Sequence, residues 1–120
     1  MNPFEAAIRD YREGLGSLRE RMPEVVDAYH TFTGACFAPG ALDQKTKHLM
    51  GLAISLCTQD EYCMIYHTDQ AVQHGATRQE IEEVVAVAAA LGGGVALSQG
   101  VTLVQDLLNH LQGARGKAVQ

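Results

Sequence analysis

The amino-acid sequence predicts an all-α protein of about six helices. Apolar residues recur at steps of three and four in several segments, two segments open with helix-capping patterns, and no segment alternates convincingly with a period of two. The chain has 120 residues, is 47% hydrophobic and carries a formal net charge of -5. This composition indicates one globular domain over residues 1–112, and its acidic balance argues against nucleic acid or an anionic membrane as a partner.

The N-terminal region predicts two helices. An apolar stripe at helical spacing crosses residues 4–22, and Pro23 ends this helix or begins the next. Its members are Phe4, Ile8, Tyr11, Leu15, Leu18 and Met22. A shorter helix is expected over residues 24–33, followed by a loop at residues 34–40 that would hold Cys36.

The next segment predicts a buried helix. Asp43 is a suitable N-cap for a helix over residues 44–56. Positions 49–57 are apolar except for Gly51 and Ser55, which predicts burial nearly all round. By default, His48 near the start of this helix would be an exposed polar residue, and Cys57 at its end would be inert packing.

A break and a new helix are expected after that segment. The apolar pattern stops near residues 58–60, where Thr58 or Asp60 would cap a helix that ends at Gly75. Residues 77–80 read Thr-Arg-Gln-Glu, a capping box that predicts another helix up to Leu91.

The C-terminal region predicts a last helix. Residues 84–105 carry no charge, but the glycines at 92–94 and several polar residues favour two helices separated by a break over one membrane span. The last helix reaches Leu111, and residues 113–120 are expected to form a frayed tail. No targeting signal is recognised at the N-terminus, and three cysteines in no disulfide spacing favour a reducing, cytoplasmic compartment.

Cys63 and His67 are the candidates for chemistry. They are four residues apart and would share one face of a helix. A thiol in the first turn lies at the positive end of the helix dipole, which favours the thiolate, and a neighbouring imidazole can accept its proton. The alternative is a buried cysteine that only packs, with Asp60 as a cap whose charge opposes the thiolate.

Several blocks of this sequence resemble the carboxymuconolactone decarboxylase family, and most closely its alkylhydroperoxidase-D-like branch. The resemblance covers about residues 39–111, through Gly-Ala-Leu-Asp-Gln-Lys-Thr-Lys at 40–47, Cys-Met-Ile-Tyr-His at 63–67 and the triple glycine at 92–94. It implies an all-α fold, assembly as a homotrimer or homohexamer, and no cofactor.

The active motif of that branch is a glutamate and then, after eleven intervening residues, Cys-x-x-Cys-x-x-x-His. Its second cysteine and its histidine match Cys63 and His67, whereas the first cysteine is replaced by Asp60 and the glutamate by His48. The resemblance implies reduction of hydroperoxides by Cys63, with His67 as the base, His48 in the proton relay and Asp60 where the second thiol would be.

The loss of one thiol leaves alternatives open. A sulfenic acid on Cys63 needs another thiol, which could be external or, if the break at 58–60 brings it near, Cys57. A non-redox lyase acting on small lactone acids would use His67 and His48 as acid and base. The scaffold could also be a catalytically degenerate binding protein. Because Asp60, Cys63, His67 and His48 are all zinc ligand types, a metal site is a further alternative.

Overall fold

The computed structural model describes the backbone of residues 2–119 and the side chains of residues 2–113. This part of the chain contains seven helices and no strand, which confirms the predicted all-α fold. The helices fall into two compact units, residues 1–43 and residues 44–120. The single domain predicted for residues 1–112 stays a prediction.

The first unit consists of α1 (Pro3–Arg21) and α2 (Pro23–Phe37). Asn2 caps α1 because its side-chain oxygen accepts the N–H groups of the second and third helical residues, at 2.9 Å each. The two helices are joined by a bidentate ion pair in which the Arg19 guanidinium donates to the Asp27 carboxylate at 2.7 and 3.0 Å. Both side chains are exposed, so the pair orients the helices more than it stabilises them.

The prediction of a loop at residues 34–40 was wrong for its first half. Residues 34–37 continue α2, and Cys36 is an exposed helical residue. The helix ends at Phe37 because Pro39 disfavours helical backbone at the residue before it, Ala38, which is extended.

The second unit contains the other five helices. They are α3 (Gln44–Thr58), α4 (Glu61–Gln73), α5 (Arg78–Gly92), α6 (Gly94–Gly100) and α7 (Leu103–Val119). The last two replace the single helix expected after the triple glycine, since the chain turns at residues 101–102. The frayed tail predicted at 113–120 overlaps the end of α7, whose helical backbone continues to Val119, and the fraying stays a prediction.

Local sequence explains where the helices of this unit begin and end. The Asp60 side chain caps α4, and Thr77 and Glu80 form the complete capping box of α5. Gly75 and Gly93 have φ values of 93° and 77°, a left-handed conformation that glycine adopts without strain. All four features agree with the boundaries expected from the sequence.

The core of the second unit is formed by the inward faces of α3, α4, α5 and α7. The largest fully buried apolar side chains are Leu52, Leu56, Met64, Ile81 and Val104. At the start of α3 and α5, the Lys45 ammonium donates to the Glu80 carboxylate at 2.9 Å, and this links the two helices beside the capping box. The resulting framework holds α3 and α4 side by side, which is what brings their polar residues together.

α3 is less buried than its apolar sequence predicts. Met50 and Ile54 are 48% and 60% exposed, and Cys57 is exposed as well. The prediction of burial nearly all round was wrong because α3 packs with one face on α4 and α5, whereas its other face is open in the single chain. In the part of the chain that the structure describes, no helix combines the length and the hydrophobicity that a bilayer span requires.

Candidate active site

Cys63 lies in the first turn of α4, beneath the cap that Asp60 provides. The Asp60 Oδ1 atom accepts the backbone N–H of Cys63 at 3.1 Å, and the same carboxylate takes a hydrogen bond from the thiol. These two bonds lower the pKa of Asp60, so the carboxylate is ionised at neutral pH. Asp60 is therefore both the predicted helix cap and the nearest charged neighbour of the sulfur.

The expected thiolate at Cys63 was wrong for the resting protein. Burial raises the pKa of the thiol to about 11, and the hydrogen bond and negative charge of Asp60 act in the same direction. Burial and the charge of Asp60 thus outweigh the favourable dipole at the start of α4. The Cys63 side chain is therefore predominantly protonated at pH 7.

His67 lies one helical turn after Cys63 and forms a pair with His48 of α3. The two Nδ1 atoms are 3.1 Å apart, and the ring centroids are separated by 5.3 Å. His48 is buried, contrary to the expectation of an exposed polar residue. The contact between α3 and α4 thus brings together the two histidines that the resemblance selected.

Both histidines of the pair are neutral at pH 7. Burial lowers the pKa of His67 to about 4. The charge that His48 would carry lowers it further, whereas the negative charge of Asp60 raises it. Burial also lowers the pKa of His48, with a smaller effect of His74. In a neutral pair one Nδ1 carries the proton and the other accepts it. When His67 is the donor, its Nε2 atom is an acceptor and can take a proton from a thiol or a substrate.

Two aromatic neighbours complete the surroundings of the pair. The His74 ring stacks on His48 at 5.4 Å between centroids, and it is held by contacts of its own with the Gln70 carbonyl at 2.8 Å and Gln44 Oε1 at 2.9 Å. Tyr66 meets both rings of the pair edge-on. The position of His74 seven residues after His67 signals a shared helix face, but the sequence does not show that His48 of another helix lies between them.

Among the described residues, no group of three or more histidine, cysteine, aspartate or glutamate side chains is arranged to hold a metal ion. The zinc alternative therefore has no support from the geometry, because zinc requires three or four such ligands around one point. The described cysteines are free thiols. The Cys57 sulfur donates weakly to the Ala88 carbonyl at 3.6 Å, so it lies against α5, whereas Cys63 lies against its own helix cap.

The structure is thus a small all-α scaffold that brings together a thiol, an imidazole one turn later and a second imidazole from the preceding helix. The chain belongs to the carboxymuconolactone decarboxylase family, whose model matches residues 23–106. The match includes α2, most of the second unit and every residue of the candidate site.

Two relatives are about one-third identical to this chain over the aligned segments. An uncharacterised protein of Cupriavidus necator is 32% identical over 91 residues, which are 76% of this chain and 80% of that protein. The uncharacterised protein 4 of the cox locus of Paracoccus denitrificans is 32% identical over 100 residues, or 83% and 89% of the two chains.

Solved structures of the family have the same fold. A family member from Legionella pneumophila superimposes with a TM-score of 0.84 at 28% identity, covering 91% of this chain and 97% of that one. A member from Thermotoga maritima, for which a role in the antioxidative response has been suggested, gives 0.71 at 31% identity and covers 76% and 93%.

Proposed function

We propose that this protein reduces hydroperoxides with the Cys63 thiol and uses His67 and His48 to move the proton. The observation that carries the proposal is the His48–His67 contact of 3.1 Å, one helical turn from the sulfur. The likeness to the Thermotoga protein, with its suggested antioxidative role, supports the same reaction class.

In the first step the Cys63 sulfur attacks the outer oxygen of the hydroperoxide. The S–O bond forms, the O–O bond breaks, and cysteine is oxidised to sulfenic acid while the hydroperoxide leaves as an alcohol. The thiol proton must reach the departing alkoxide, and neutral His67 is the group that can carry it. While it holds the thiol proton the pair carries one positive charge, which His48 can share by taking up the Nδ1 proton of His67. The pair is neutral again once the proton has reached the alkoxide.

In the second step an external thiol reduces the sulfenic acid. A first thiol displaces water and forms a mixed disulfide, and a second thiol releases Cys63 as the free thiol. Two equivalents of external thiol are thereby oxidised to one disulfide. A reducing, cytoplasmic compartment would supply such a reductant. Because the resting thiol is almost fully protonated, we expect turnover to be slow.

The test is exposure to one equivalent of hydroperoxide followed by mass spectrometry of the intact protein and its peptides. Cys63 should gain one oxygen before the other thiols do, and a mixed disulfide should follow on addition of one equivalent of a monothiol such as 2-mercaptoethanol. The Cys36→Ser variant is the matched control because Cys36 is exposed and lies in the other unit. If Cys36 or Cys57 is oxidised while Cys63 stays reduced, the proposal is wrong.

A second candidate function is non-redox proton transfer on small lactone acids. The raised pKa of Cys63 favours it, because that reaction does not need a thiolate. In that reaction the neutral His48–His67 pair would act as acid and base, and the sulfur would not take part. Turnover of a lactone acid that survives Cys63→Ser and disappears in His67→Ala would establish it. Loss of hydroperoxide reduction in Cys63→Ser, with no lactone turnover in the wild-type protein, would decide for the thiol reaction.

A further inference from the structure

The face of α3 that lies against His67 has no side chain at Gly51. A Cβ atom built on Gly51 would lie 2.8 Å from Cγ, 2.8 Å from Nδ1 and 2.9 Å from Cδ2 of His67, all closer than real Cβ contacts. The imidazole therefore occupies the space that any other residue at position 51 would fill.

The three distances also show how the ring is oriented. Cγ is bonded to both Nδ1 and Cδ2, so a point almost equally far from all three lies above the ring, and the ring turns its face to Gly51. Gly51 follows His48 by three residues and shares its side of α3. Gly51 and His48 thus contact the same imidazole, one through its face and the other through Nδ1.

The backbone gives no other reason for a glycine at this position. Gly51 lies inside α3, where glycine destabilises a helix relative to alanine. Among the described residues, the glycines with a positive φ are Gly75 and Gly93. The helical glycines Gly16 and Gly34 have nothing within 4 Å of an added Cβ. Gly92 and Gly100 are as tightly packed, but against Cys57 and Val85, whereas Gly51 packs against His67.

We propose that Gly51 is a positioning residue that seats His67 against α3 and so sets the hydrogen bond to His48. Its part in catalysis rests on the proposed function, but the seating itself does not. A methyl group at position 51 would push the ring off α3, lengthen the Nδ1–Nδ1 contact and expose the imidazole to water. All three changes loosen the arrangement that keeps His67 neutral.

The first test is NMR titration of the histidines in Gly51→Ala. We expect the pKa of His67 to rise towards its ordinary value by one unit or more, which is about a tenfold change in proton affinity. Oxidation of Cys63 by hydroperoxide should slow by about the same factor as in His67→Ala. The control is Gly34→Ala, also a helical glycine, for which the titration curves should match the wild type. Unchanged titration of His48 and His67 in Gly51→Ala would overturn the proposal.

A second test separates seating from a general effect on the helix. In the wild-type background Gly51→Ala should lower the thermal midpoint, whereas in the His67→Ala background it should raise it, because the ring is gone and alanine favours the helix. An equal decrease in both backgrounds would show that position 51 affects folding without acting through His67. Both tests remain decisive if the wild-type protein reduces no hydroperoxide, an outcome that removes the proposed function alone.

Discussion

The Asp60 carboxylate accepts two hydrogen bonds from Cys63, one from its backbone N–H at 3.1 Å and one from its thiol. One side chain thus begins the helix and controls the ionisation of the residue on which the chemistry depends. The cap stabilises α4, and the charge keeps the sulfur protonated. Any change at position 60 should therefore affect folding and reactivity separately, according to which of the two bonds is kept.

The Asp60→Asn variant separates these effects. Asparagine caps helices about as well as aspartate, so the stability of the variant should change by less than about 1 kcal/mol. Removal of the charge should lower the pKa of Cys63 from about 11, although burial, the larger cause, remains. Each unit by which the pKa of Cys63 falls gives about ten times more thiolate at pH 8. The rate of alkylation by iodoacetamide should rise accordingly, measured against pH in a variant that lacks Cys36 and Cys57. A rate that falls or stays constant would show that the carboxylate does not hold the proton.

Neutral His67 makes the protein sensitive to acid. Its pKa is about 4 when folded and near 6.5 when unfolded, so the unfolded chain binds more protons between these values. The free energy of unfolding therefore has its full value above pH 6.5 and decreases as the pH falls towards 4, by at most about 3 kcal/mol. Urea unfolding between pH 7 and 4 should show this decrease in the wild-type protein. The decrease should be smaller in His67→Phe. Asp60 and Glu80, whose pKa values are lowered, contribute at lower pH. An equally steep decrease in His67→Phe would assign the effect to other groups.

Thr68 carries a buried hydroxyl with no hydrogen-bond partner among the described residues. Its side chain is fully buried on α4, next to His67. Valine has the same shape without the oxygen, so Thr68→Val should stabilise the protein by about 1 kcal/mol in thermal or urea unfolding. The same replacement at Thr77 should destabilise it by about 1 kcal/mol, because that hydroxyl caps α5. Destabilisation by Thr68→Val would indicate that the hydroxyl binds a trapped water molecule.

Local features of the site could be predicted from the sequence because they depend on residues close together in the chain. The capping by Asp60, the capping box at Thr77 and the shared face of Cys63 and His67 all follow from spacings of three or four residues. The contact between His48 and His67 joins two helices across 19 positions. Spacing alone does not predict it, although the resemblance to the family places both histidines in one motif.

The state of the sulfur and the burial of α3 required the packed structure. The helix dipole favours a thiolate at Cys63, but burial and the charge of Asp60 act against it, and their balance depends on how deeply the first turn of α4 is packed. Similarly, the apolar run in α3 shows that its side chains avoid water without showing what covers them. In the single chain Met50 and Ile54 are left exposed. Gly51 was visible only as an interruption of that run.

The exposed apolar stripe on α2 leads to a last prediction, on self-association. Val25, Tyr29 and Phe32 follow one another at helical spacing and are 55%, 55% and 65% exposed. A stripe of three large apolar residues is typical of an interface, since burial of each would contribute about 1.5–3 kcal/mol. We expect the protein to form a homotrimer or homohexamer in solution, and Phe32→Glu to shift it to smaller species in sedimentation velocity. The control is Thr31→Glu, which adds the same charge at an exposed position off the stripe. A wild-type protein that sediments as a monomer at high concentration would contradict this assembly, because the stripe would then remain in water without a partner copy.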